Sequence, residues 1–181
     1  MSKLETNTID TVSGTSNLII GSTNTSTITM PSGEVTGHNY PAFYAHLSAA
    51  QSVSNNTTTK AQINSELYDT DSCYDNSTNY RFTPNKAGHY FVTGCIGGES
   101  GTNDSTTNIA YIYKNGSQYT NHSFNSSAVF RRYTGMTTAV VYMNGSSDYI
   151  ELFGLVSSSG TSVEFNSGSR QTFFTAYRLG A

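Results

Sequence analysis

An all-β, antiparallel sandwich or barrel is the fold class this sequence predicts, and three observations lead there. Apolar and polar residues alternate with a period of two over many short stretches, the pattern of strands with one face inward. Turn-forming Asn-Gly, Pro and Ser/Thr/Asn clusters separate those stretches. No apolar stripe repeats every 3.6 residues over a useful length. The sequence has 181 residues, which favours one domain with a short appendage. Ser, Thr and Asn together make up 69 of them, a share that approaches disorder. Against disorder stand 13 Tyr, 9 Phe and only 3 Pro.

Taken in order, residues 1–37 form a segment apart. They hold no aromatic residue and one apolar knot, Leu18-Ile19-Ile20, with a weak alternation through Ile28 and Met30 before a turn at Pro31-Ser32-Gly33. Such a segment cannot bury a core alone. It reads either as a disordered leader or as a short β-rich shaft that orders by pairing with other chains. Residues 38–181 then read as the globular part. Strands are predicted at Ala42–Leu47, at Ala61–Leu67 (with a slip in the alternation), and at Tyr80–Thr83, where Pro84 stops pairing. Tyr90–Ile96 and Asn108–Tyr113 follow, the latter ending at Asn115-Gly116, whose residues supply the positive φ of a tight hairpin. Thr137–Met143 ends at a second Asn-Gly, and Asp148–Val156 and Thr172–Leu179 complete the set. Within Tyr149-Ile150-Glu151-Leu152-Phe153, Ile150 and Leu152 share one face while Tyr149 and Phe153 share the other. Aromatic rings on an outer face predict an oligomer interface.

Composition excludes several function classes. Lys plus Arg is 9 against 12 Asp plus Glu, so the basic surplus of a nucleic-acid binder is missing. No apolar run approaches the ~18 residues of a membrane helix, so no membrane insertion is expected. The start, Met1-Ser2-Lys3-Leu4-Glu5, lacks the apolar core of a secretory signal, which predicts synthesis in a cytoplasm. Cys95 reads as a small buried hydrophobe and Cys73 as a polar-loop residue; a bridge between them is disfavoured but left open.

From Tyr40 to Leu179 the sequence resembles the globular head of complement C1q, whose jelly roll is shared with tumour necrosis factor. The residues that carry this are Pro41-Ala42-Phe43, the run Tyr74-Asp75-Asn76-Ser77-Thr78-Asn79-Tyr80-Arg81-Phe82-Thr83-Pro84, Ala87-Gly88-His89-Tyr90-Phe91-Val92, Tyr113-Lys114-Asn115-Gly116, Ser147-Asp148-Tyr149-Ile150-Glu151-Leu152, and the last strand Thr172-Phe173-Phe174-Thr175-Ala176-Tyr177-Arg178-Leu179. Ala176 departs from the glycine often found there. The resemblance implies a ten-stranded antiparallel jelly-roll sandwich that assembles as a homotrimer and buries aromatic residues between protomers. Such heads are also similar to tips of bacteriophage fibres and head decorations, where a Ser/Thr/Asn-rich N-terminal segment forms a thin shaft or an attachment peptide. That setting implies a virion surface protein made in the host cytoplasm, holding other virion proteins through residues 1–37. The alternative is a secreted C1q-like or lectin-like binding protein.

Site residues follow from chemistry and position. Catalysis is not expected. His38, His46, His89 and His122 share no ligand spacing, no nucleophile elbow or phosphate loop exists, and Glu66 with Asp69 forms no convincing acid–base pair. No cofactor is required. Asp69, Asp71 and Asp75 place three hard oxygen ligands in one stretch and are the candidate calcium site, weighed against a solvated turn. Tyr149, Phe153, Phe174 and Tyr177 are the candidate trimer interface. Tyr119, Asn121 and His122, read as a loop, or the stretch 103–107, are the candidate glycan contacts, since a tyrosine face stacks on a sugar while amides bond its hydroxyls. Arg131-Arg132 is the one basic pair.

Overall fold

The computed structural model describes residues 41–102, 104–160 and 162–180, within a compact unit that spans Asn39–Ala181. The expected segment 1–37 and its boundary with 38–181 lie outside the described residues. Those described form thirteen strands and no helix. They are β1 (Ala42–His46), β2 (Gln51–Val53), β3 (Thr59–Lys60), β4 (Ser65–Asp69), β5 (Tyr74–Asp75), β6 (Arg81–Phe82), β7 (Ala87–Ser100), β8 (Ser105–Lys114), β9 (Ser117–Phe130), β10 (Arg132–Asn144), β11 (Ile150–Ser158), β12 (Val163–Phe165) and β13 (Phe173–Gly180).

The strands pair antiparallel in two sheets. The seven-stranded sheet runs β2-β12-β7-β13-β1-β4, with β10 along the other side of β7. The six-stranded sheet runs β5-β6-β11-β8-β9, with β3 beside β11. All pairs are antiparallel, and the unit is a jelly-roll sandwich. Ten strands were expected; the excess comes from two- and three-residue pieces such as β3, β5 and β12. The predicted strand 61–67 splits. Ala61 and Ile63 drop into the core while the chain passes from β3 in one sheet to β4 in the other, leaving Leu67 exposed. This crossing is the slip in its alternation.

Strict alternation puts the core between the sheets. Tyr90, Val92 and Ile96 of β7, Phe43 and Ala45 of β1, and Phe174 and Ala176 of β13 face inward from one sheet. Ile150 and Leu152 of β11 with Ala110 and Ile112 of β8 meet them from the other. Phe43 is the hub: its ring centroid lies 4.5 Å from Tyr74, 4.7 Å from Phe82 and 5.2 Å from Phe174. Full burial of such a ring is worth about 1.5–3 kcal/mol. The Ala176 methyl is spent in this core, against Phe43 and Val92 in register, rather than between protomers. Cys73 is buried in the same core, which corrects its polar-loop reading, and its thiol donates to the Asp71 carbonyl. Both cysteines are free.

Turns close as their residue types dictate. Asn115 (φ 51°) and Gly116 (φ 76°) make the two-residue hairpin between β8 and β9. The Asn144 side chain closes the next turn differently, its Oδ1 accepting from the backbone N–H of Ser146, Ser147 and Asp148. Asp148 then joins the two tips, accepting from Asn115 Nδ2 at 2.8 Å and from Lys114 Nζ at 3.0 Å.

Candidate functional site

The outer face of the seven-stranded sheet is built by the residues that alternate with the core. Register rows across β10, β7, β13 and β1 place Val140, Phe91, Tyr177 and Ala42 side by side, with Tyr142 beside His89 in the row on one flank, Thr138, Thr93, Thr175 and Tyr44 in the row on the other, and Met136, Cys95 and Phe173 in the row beyond that. Rings meet along these rows, His89–Tyr142 at 5.4 Å and Phe91–Tyr177 at 5.6 Å, and diagonally between them, Tyr44–Phe173 at 5.2 Å. Met136, Val140, Tyr142, Tyr177 and Leu179 are each about half exposed or more. Cys95 lies beneath this layer, and burial pushes its thiol up to about 12. A thiol held protonated in this way is a packing group, not a nucleophile.

The six-stranded sheet carries a different outer face. One register row holds Arg81, Glu151, Tyr113 and Gln118; the next holds Lys60, Phe153, Tyr111 and Asn121. Phe153 stacks on Tyr113 at 4.2 Å and 28°, and Tyr111 meets Tyr113 edge-on at 6.2 Å. Lys60 Nζ sits 5.6 Å from the Phe153 centroid and pairs with the buried carboxylate of Glu151. Arg81 lies over Tyr149 at 4.4 Å.

Against this geometry the expected sites divide. Tyr177 is on the outer face of the seven-stranded sheet, while Phe153 and Tyr149 belong to the opposite side of the sandwich. Phe174 is fully buried within the protomer core and is not available to another chain. It alternates with Tyr177 on β13, and the sequence alone does not say which of the two faces inward. Tyr119, Asn121 and His122 lie on strand β9, not on a loop, and do not converge. Asn121 pairs with the outward Tyr111, and His122 pairs with the inward Ala110. Tyr119 occupies the bulge between Gln118 and Thr120, and its hydroxyl donates to the Val140 carbonyl at 3.1 Å. Ser105 and Thr107, from the other expected contact, lie in β8.

Of the calcium candidates, Asp69 and Asp75 are engaged by neighbouring backbone. Asp69 accepts from the Tyr74 N–H at 2.8 Å, and Asp75 accepts from the N–H groups of Ser77, Thr78 and Asn79. The Thr78 N–H, then that of Ser77, hold the Asp75 carboxyl well below the usual carboxylate range. These oxygens close turns. Among the described residues no group of three or more His, Cys, Asp and Glu side chains is arranged to hold a metal ion. Glu66 and Asp69 share β4, and the Glu66 carboxyl is raised by burial and by the Asp69 charge. The basic pair is tied down: Arg131 and Arg132 both bond the buried Glu99, at 2.9 and 2.5 Å.

No family model and no curated protein matches the sequence. Solved structures do match the fold. An Eiger TNF from S. frugiperda has a TM-score of 0.54 at 10% identity, covering 78% of this chain and 92% of its own. Murine APRIL has a TM-score of 0.55 at 10% identity, covering 77% and 99%. The globular domain of zebrafish complement 1qA has a TM-score of 0.52 at 15% identity, covering 77% and 98%. The fold is therefore a jelly roll of the tumour-necrosis-factor and C1q type, as the resemblance implied.

Proposed function

We propose that this chain is a non-enzymatic structural protein of a bacteriophage virion, a head decoration or fibre or a tail-fibre tip, whose jelly-roll unit assembles as a homotrimer and projects toward host surface glycans. The observation that carries the assembly is the aromatic and aliphatic outer face of the seven-stranded sheet, a patch of the kind that marks an interface. A threefold ring needs two different complementary surfaces on each protomer, because its contacts run head to tail. The second surface is the margin formed by β9, a long strand that brings Tyr119 and Val129 to the outside. The virion setting rests on the hydroxyl- and amide-rich residues 1–37, which attach to other virion proteins.

Size-exclusion chromatography with light scattering tests the assembly, and a clean monomer at micromolar concentration removes it. Mass spectrometry of purified virions tests the location. A processed N-terminus in culture medium would instead favour the secreted, lectin-like alternative. Incubation with host polysaccharide yields no new reducing ends if the protein is not an enzyme.

A further inference from the structure

The basic pair at the turn between β9 and β10 is a feature that neither the core nor the apolar outer face uses. We propose that Arg131 and Arg132 form a binding site for a phosphate group, with the buried Glu99 carboxylate holding the two guanidiniums side by side. This goes beyond the outward-facing reading above, because it does not depend on the assembly and it names a chemical class.

Glu99 fixes the pair from below. It is 4% exposed, and a carboxylate that deep needs compensating charge. Its Oε1 accepts from Arg131 Nε at 2.9 Å and its Oε2 from Arg132 Nε at 2.5 Å. The backbone is tied as well: the Ser100 N–H donates to the Arg131 carbonyl at 3.0 Å, and Arg132 pairs with Glu99 in the register of β10 on β7. Each guanidinium is thus anchored through Nε. The Nη groups of both make no hydrogen bond among the described residues, and each arginine side chain is 59% exposed. Two guanidinium charges meet one carboxylate, which leaves one positive charge unanswered. The next carboxylate in that row is Glu164, on the far side of Glu99 and two strand spacings, about 10 Å, from Arg132. Among the described residues it makes no ion pair with either arginine.

Shape decides the class. A planar carboxylate is satisfied by the fork of one guanidinium, whereas a tetrahedral phosphate has oxygens for both. Location leaves the site open. Both arginines follow Phe130, the last residue of β9, and so stand beyond the margin given to a neighbour. The Arg132 row lies four residues along β10 from the Met136 row, about 13 Å, and Gln171 packs over Gly97 in the row between them.

The test uses the full chain at low ionic strength, titrated calorimetrically with inorganic phosphate and with polyglycerol phosphate, a phosphodiester polymer. Hyaluronate is the carboxylate comparison and dextran the neutral one. Phosphate is expected to bind with Kd below about 10 mM, and dextran not at all. Binding of the polymer assigns a polymer phosphodiester as the ligand; binding of inorganic phosphate alone assigns the free ion. Arg132→Lys keeps the charge beside Glu99 but removes one fork, and should bind phosphate about fivefold to tenfold more weakly. Glu164→Gln removes an opposing charge about 10 Å away and should bind about twofold more tightly, a gain that a damaged fold cannot produce. Both variants should keep their light-scattering mass and circular dichroism. Binding of neither phosphate probe, hyaluronate bound as tightly as either of them, or an Arg132→Lys protein that binds as tightly as wild type overturns the site. Light scattering on the same samples separates the two readings. A trimer that binds no phosphate removes only this site, and a monomer whose phosphate binding falls in Arg132→Lys removes only the assembly.

Discussion

Phe174 and Tyr177 lie three residues apart on β13 and give the sharpest division between folding and assembly. Phe174 is 0% exposed and packs edge-on against Phe43 at 5.2 Å. Replacing it by Ala removes a buried ring from a core closed on both sides by sheets, a change that costs about 3–5 kcal/mol. At about 2–4 °C per kcal/mol for a domain of this size, the melting temperature should fall by about 6–20 °C. Tyr177 is 48% exposed and, among the rings of the described residues, touches Phe91. Its replacement by Glu should cost the isolated protomer about 0.5 kcal/mol or less. It does, however, put a carboxylate in the middle of the proposed interface, where a desolvated unpaired charge is worth several kcal/mol. The assay is a thermal melt by circular dichroism together with light scattering for both variants. Phe174→Ala should melt early, and Tyr177→Glu should keep its sheet signal but lose its trimer mass. A Phe174→Ala protein that melts within 2 °C of wild type, or a Tyr177→Glu protein that unfolds, refutes the assignment of faces.

Other outcomes follow from the same geometry. Gly154→Ala would bring a methyl 2.8 Å from Phe165 Cζ and 3.0 Å from Ile96 Cδ1, so urea unfolding should show a loss of about 1–3 kcal/mol. Asp75 and Asp148 are both depressed, Asp75 by the Thr78 N–H first and Asp148 by the Asn115 amide first. A depressed carboxylate contributes stability that is complete above its unfolded value of about 3.9 and is lost as pH falls through the folded one. Stability should therefore fall as pH drops below about 4, and Asp75→Asn should make that acid limb shallower in pH-dependent melts. Arg131→Ala and Arg132→Ala should each be mild, because Glu99 keeps the other guanidinium. The double replacement strands a buried carboxylate and should cost more than the two single changes added, as a double-mutant cycle in urea would show.

The strands with a strong period of two were legible, because alternation is imposed by the pleat whatever the partner. The predicted Tyr90–Ile96 lies inside β7, which runs on to Ser100, and the predicted Asp148–Val156 overlaps β11, which starts and ends two residues later. The turn at Asn115-Gly116 was legible for the same local reason, since few residue pairs accept positive φ twice. What stayed hidden was set by partners distant in sequence. β9 spells Ser-Gln-Tyr-Thr-Asn-His-Ser-Phe-Asn-Ser-Ser-Ala-Val-Phe, which reads as loop because it lies at the margin of its sheet and has little core to face. Its strand character comes from β8, through a register that carries two irregularities. The outer-face cluster of Phe153, Tyr113 and Asn121 was invisible for the same reason. Its members come from three strands and meet only once the register of β11 on β8 and β8 on β9 is known.

The composition of the sheet margins bears on the assembly as well. Proteins protect strand edges with short strands, charges or proline, because an open edge recruits other chains. Most margins here obey that rule: β2 and β5 are three and two residues long, and β4 carries Glu66 and Asp69. β9 and β10 do not. They run fourteen and thirteen residues, contain no proline, and carry a single Lys, Arg, Asp or Glu between them, Arg132. Among the described residues neither has a second ladder partner, and the two strands meet through side chains, Phe124 stacking on Tyr133 at 3.8 Å and the Tyr119 hydroxyl donating to the Val140 carbonyl. Side chains already cap part of the β10 edge, the carbonyls of Tyr133, Val140 and Tyr142 accepting from Asn108, Tyr119 and Lys114, so the long neutral edge of β9 is the one left for another chain to protect. A neighbouring protomer in a ring covers all copies at once and leaves none open, whereas a monomer would leave every copy exposed. Two lysines introduced on β9, for example Ser123→Lys and Asn125→Lys, should therefore weaken assembly while leaving the protomer folded. If light scattering still reports an intact trimer for that variant, β9 is not the covered edge.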